Sequence, residues 1–157
     1  MSLDEIINFA QLSENLLTSG QPDEEDFCEI AKAGVETVIN LATLTSDLAL
    51  ADEPGTVRAL GMEHVHIPVD WENPTQANLE DFMDALEARL DRKILVHCAL
   101  NYRVSCFIAL WKVLRLGENP DDAFKPLHEL WEPKEYPVWD DFIRQTLDVA
   151  GYGTPSG

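Results

Sequence analysis

KILVHCALNYRVSCF, residues 93–107, decides the reading of this chain. Lys93 to His97 is apolar and partly β-branched, as a strand buried on both faces must be. Val104 to Leu116 is apolar on most sides and reads as a buried helix. Cys98 stands where the strand stops, and Arg103 follows just before the helix. Open parallel sheets bind ligands beyond the carboxyl ends of their strands. A strand-to-helix turn there presents successive N–H groups as an anion-binding nest, and the helix dipole adds positive potential. The same field favours thiolate, the nucleophilic form of cysteine. Arg103 can fold over the turn and hold two oxygens of a tetrahedral anion.

On the N-terminal side, Glu14 to Ser19 is a short strand candidate closed by Gly20-Gln21-Pro22. A helix is expected from Pro22 to about Ala33, with Asp23 to Asp26 on its positive dipole end and Gly34 stopping it. Val35 to Leu41 and Met62 to Val69 read as two more strands. Residues 46–60 read as a helix interrupted by Pro54-Gly55, and Thr75 to Leu90 as a strongly amphipathic one. Two further helices are expected near 120–131 and 137–149. Strands alternating with helices make βαβ units. The expected architecture is a three-layer α/β domain: a mostly parallel four-stranded sheet flanked by five or six helices. One domain should cover residues 1–150, followed by a Gly/Pro/Ser-rich tail at 151–157.

Composition sets the outer limits. The 157 residues carry 29 acidic and 11 basic side chains, a net charge of −18. Such a field repels phosphate backbones and anionic lipid, so neither nucleic acid nor a membrane is an expected partner. No apolar run reaches the ~18 residues of a membrane span, and the acidic N-terminus lacks the pattern of a signal peptide. Cys28, Cys98 and Cys106 are odd in number and without metal-ligand spacing, which argues against a disulfide framework or a zinc site. The expectation is a reduced, cytoplasmic protein. No feature speaks to oligomeric state.

HCALNYRVS at 97–105 resembles the signature loop of cysteine-dependent protein tyrosine and dual-specificity phosphatases. TSGQP at 18–22, VETVINL at 35–41, IPVDWENPT at 67–75 and VHCALNYRVS at 96–105 also occur in the order seen in a family of bacterial phosphatase-like proteins. That family is similar to the phosphatase-like domain joined to some β-lactamase-like hydrolases. The resemblance covers about residues 10–117. It implies Cys98 as nucleophile, Arg103 and the amides of Ala99, Leu100, Asn101, Tyr102, Arg103 and Val104 as the phosphate cradle, and Asp70 as general acid. Ser105 would assist departure of the sulfur. Neither metal nor other cofactor is implied, and the substrate would be a phosphorylated small molecule or phosphoprotein.

The loop departs from protein tyrosine phosphatases in having four residues, not five, between cysteine and arginine. Four is the length of rhodanese-type sulfurtransferase loops, so a persulfide on Cys98 is an alternative. An anion- or partner-binding domain without turnover, or a redox-sensing thiol, are others. The loop also lacks glycine, and Asn101 is the residue best able to take a positive φ. Around the loop, His97, Gln21 and Asn40 are expected to orient it and Trp71 to line the pocket. Tyr102 should flank the pocket as well. Cys106 and Cys28 are expected in or near the core, with Trp111, Trp131 and Trp139 as core residues on helices.

Overall fold

The computed structural model describes residues 3–153. Five short strands form one sheet: β1 (Ala10–Ser13), β2 (Leu16–Ser19), β3 (Thr37–Asn40), β4 (Glu63–His66) and β5 (Ile94–His97). Their order is β1-β2-β5-β3-β4, with β1 antiparallel to β2 and the other pairings parallel. The parallel four were expected; β1 was not. Its residues alternate between half-buried and exposed, and Ala, Gln and Ser carry little strand propensity, so only the pairing to β2 makes it a strand.

Side-chain alternation divides the core into two layers. Leu16, Ile39, Ile94 and Val96 face one side, where they pack with Leu79, Phe82, Phe107 and Trp139. Leu17, Val38 and Leu95 face the other, with Phe27, Ile30 and Val57. The second layer is built by α1 (Glu24–Lys32) and α2 (Glu53–Ala59), the first by α3 (Gln76–Glu87), α4 (Tyr102–Leu116), the four-residue α5 (Pro120–Ala123) and α6 (Lys125–His128), and α7 (Pro137–Val149). Helix α1 starts after Pro22, at an Asp23–Asp26 capping box, and ends before Gly34 at φ 95°.

Several expectations need correction. The helix read across 46–60 is confined to α2, where Pro54 occupies a first-turn position and so starts the helix instead of interrupting it. The region 120–131 holds two short helices, and Trp131 lies beyond both. Cys28 is exposed, on the outward face of α1, while Cys106 is fully buried and its thiol is pushed well above the ordinary range by desolvation. Of the tail, residues 154–157 lie outside the described residues; Tyr152 packs on the core and its amide bonds the Leu147 carbonyl at 2.8 Å. No helix among the described residues is long and apolar enough to cross a membrane.

Candidate active site

Register places the site. Ser19 and Asn40 both pair with His97, and Asn40 pairs with His66, so the four parallel strands end level. The loops that follow therefore crowd one sheet edge, with Cys98 after the central strand. Cys98, Ala99, Leu100, Tyr102 and Arg103 line a cavity of about 300 Å3 together with Trp71 and Tyr136. Cys98 is buried and on its wall.

The loop is held from behind. Gly20 approaches so closely that a Cβ there would meet the Ala99 carbonyl oxygen at 2.6 Å, and the Gln21 amide donates to that oxygen at 2.9 Å. Asn101 does adopt the left-handed conformation, φ 69°, immediately before α4. Its Nδ2 donates to the Asn8 carbonyl at 2.8 Å and to Thr18 Oγ1 at 3.1 Å, while Asn8 Nδ2 donates to the Leu100 carbonyl at 2.8 Å. No side chain caps the first turn of α4, which leaves its N–H groups beside the cavity. Arg103 is largely buried and donates from Nη1 to the Val69 carbonyl at 2.8 Å.

The structure also places Ser105, Val104, Asp70 and Asn40. Ser105 Oγ donates to the Tyr102 carbonyl and accepts from Trp131 Nε1, each at 2.9 Å, and it lines a separate cavity with Asn101. Val104 is wholly in the core. Asp70 is exposed partway along the loop between β4 and α3; its Oδ1 accepts from the Glu72 amide at 2.9 Å, an Asx turn, and Trp71 is the loop residue that lines the cavity. Asn40 Oδ1 accepts from the Ala42 amide at 2.8 Å and shapes the turn past β3.

Two groups were not anticipated. One is the aromatic wall from the C-terminal third of the chain. Tyr102 stacks on Trp131 at 4.9 Å, Tyr136 meets Trp71 edge-on at 5.4 Å, and Trp139 Nε1 donates to the Trp71 carbonyl at 2.8 Å. The other is Glu53, whose buried carboxylate accepts from Gln21, His64 and His97. Burial alone would raise its pKa, but the hydrogen bonds from His64 and His97 outweigh this and hold it far below the usual carboxylate range. In the sequence it looks like any acid at a helix start.

A parallel sheet with a cysteine at the end of its central strand, an arginine in the first turn of the next helix and a cavity between them defines a protein tyrosine phosphatase-like domain. TpbA of P. aeruginosa shares the fold at TM-score 0.72 and 17% identity, over 88% of this chain and 84% of that one. The chain belongs to the family described as DSP-PTPase phosphatase fused to NAD+ kinase, whose model matches residues 4–132. The crystal structure of the "Putative phosphatase (DUF442)" from Shewanella putrefaciens CN-32 superposes at TM-score 0.84 with 37% identity, covering 96% of this chain and 97% of that one. A β-lactamase hydrolase-like protein of Xylella fastidiosa (strain 9a5c) is 28% identical over 157 residues. The alignment covers 95% of this chain but only 36% of that protein, so the chain spans about a third of its length.

Proposed function

We propose that this chain is a cysteine-dependent phosphatase that hydrolyses a phosphomonoester through a phosphocysteine intermediate. The observation that carries the reading is Cys98 on the wall of a cavity it shares with Arg103, at the uncapped N-terminus of a 15-residue helix. The Cys98 thiolate attacks phosphorus in line. Arg103 and the loop amides stabilise the equatorial oxygens. Asp70 protonates the leaving oxygen, so the substrate departs as an alcohol or phenol. Water, losing its proton to Asp70, then cleaves the S–P bond and releases inorganic phosphate and the thiolate. No metal enters these steps.

Asp70 reaches this role through its loop: the Val69 carbonyl beside it is tied to Arg103, and Trp71 on its other side forms part of the cavity wall. The walls of Trp71, Tyr102 and Tyr136 suit an aryl or otherwise apolar leaving group. The test is turnover of p-nitrophenyl phosphate and of thiosulfate by purified protein and by Cys98→Ser. Cys98-dependent release of p-nitrophenol supports the phosphatase. Cys98-dependent transfer from thiosulfate would support the sulfurtransferase instead, and neither would leave an anion-binding domain or a redox-sensing thiol.

A further inference from the structure

A buried polar cluster lies beneath the cysteine loop and takes no part in the steps above. Glu53, the first residue of α2, is 4% exposed. Its Oε1 accepts from Gln21 Nε2 at 2.8 Å; its Oε2 accepts from His64 Nε2 at 2.8 Å and from His97 Nε2 at 2.7 Å. Three segments thus converge on one carboxylate: the turn after β2, strand β4 and strand β5. His97 is fully buried, with the Phe27 ring edge-on at 5.9 Å. Its second nitrogen, Nδ1, faces the Cys98 carbonyl oxygen at 3.2 Å.

A carbonyl oxygen only accepts, and so does an ionised carboxylate. Both nitrogens of His97 therefore face acceptors, Glu53 Oε2 on one side and the Cys98 carbonyl on the other. A buried cation without a partner is costly, and the Glu53 carboxylate is the partner that would offset that cost. His64 on β4 meets the same oxygen and needs only its Nε2–H to do so. The cluster is oriented, with the carboxylate on α2 and the His97 ring next to Cys98.

We propose that Glu53 is a positioning residue for the reaction at Cys98: it holds His97 doubly protonated, so that the ring pins the Cys98–Ala99 peptide and its charge favours the thiolate. This rests on the phosphatase reading for its purpose, but not for its measurement. The peptide that His97 holds through the Cys98 carbonyl carries the Ala99 amide, the first donor of the loop. A histidine with one ring hydrogen could satisfy Glu53 or the carbonyl, but not both.

Nitrogen-15 spectra of the wild-type protein at neutral pH should show hydrogen on both ring nitrogens of His97. Hydrogen on one only would overturn the proposal, and no variant has to fold for that result. Alkylation by iodoacetamide, followed by mass spectrometry on the Cys98 peptide because Cys28 is exposed, supplies the second reading. Glu53→Gln should slow alkylation about tenfold at mildly acidic pH and leave it unchanged in strong alkali, where the thiol is ionised in either protein. An unchanged pH profile would overturn the proposal, since loss of packing alone does not select the acid side. Failure of p-nitrophenyl phosphate turnover with both results intact would sink the phosphatase reading and leave the Glu53–His97 pair standing.

Discussion

Arg103 donates from Nη1 to the backbone carbonyl of Val69 at 2.8 Å, a bond between the cysteine loop and the loop that carries Asp70. These loops follow β5 and β4, which do not touch, since β3 lies between them. The guanidinium thus does two things: it faces the cavity that Cys98 lines, and it fixes where the Asp70–Trp71 segment stands. A lysine could supply the charge but not this geometry, because its single ammonium has no planar fork to divide between a carbonyl and an anion.

Arg103→Lys should therefore lower kcat/KM for an aryl phosphate by about 10²–10³-fold, the usual loss for one oxyanion donor. Cys98→Ser should abolish turnover. Steady-state kinetics on p-nitrophenyl phosphate read both, and an Arg103→Lys enzyme with wild-type kcat/KM would remove Arg103 from the chemistry.

Asp70→Asn keeps the acceptor oxygen that the Glu72 amide uses, so the turn should survive. The proton donor is lost. The expected outcome is a fall in kcat of about 10²–10⁴-fold with little change in KM, the range typical of general acids. Equal rates would show that Asp70 only shapes its turn.

Asn101 carries backbone strain that can be weighed against its hydrogen bonds. Asn101→Gly and Asn101→Ala both lose the bonds to Asn8 and Thr18, but only alanine suffers at φ 69°. Urea melts should place the alanine variant about 1–2 kcal/mol below the glycine variant. Identical midpoints would mean that the turn had relaxed out of the left-handed region.

Acid should weaken the fold through Glu53. Its pKa is depressed on folding, so its contribution is fully present above the unfolded carboxyl's pKa and is lost as pH falls below about 4.5. Glu63, bonded by Arg89 and held at about 2, acts in the same direction from a more exposed position. Glu53→Gln should be less stable than wild type at neutral pH, with the gap starting to close as pH falls through about 4.5 and narrowing further with added acid. A gap independent of pH would contradict the buried ion pair.

The charge of −18 should show in salt dependence. Screening lengths fall from about 30 Å at 0.01 M to about 8 Å at 0.15 M. Competitive inhibition by inorganic phosphate should tighten over that range as repulsion is screened. Weaker inhibition would show that the local positive potential of the loop outweighs the acidic surface.

Much of this was legible in local pattern. The four parallel strands, the acidic start of α1, the stop at Gly34 and the positive φ at Asn101 follow from propensity and spacing, which neighbours along the chain set. Helix α2 was misread because Pro54 suits a first turn as well as an interruption. Strand β1 escaped notice because its residues have no strand preference without β2 beside them. The start of α4 was expected at Val104, but the helix begins at Tyr102, so Ser105 lies inside it with its hydroxyl bonded by Trp131 Nε1.

One strand end, one turn and one helix start are contiguous, so the order of residues 93–107 was enough to put a cysteine and an arginine at the mouth of a parallel sheet. Contiguity could not supply Glu53, 44 residues before His97, or Tyr136 and Trp131 from the far side of α4. Those partners exist because level strand ends and packed helices bring distant side chains within 3 to 6 Å of the loop's neighbours. The pattern of a chain records short-range preference; the walls of the cavity and the Glu53–His97 contact arise from long-range packing.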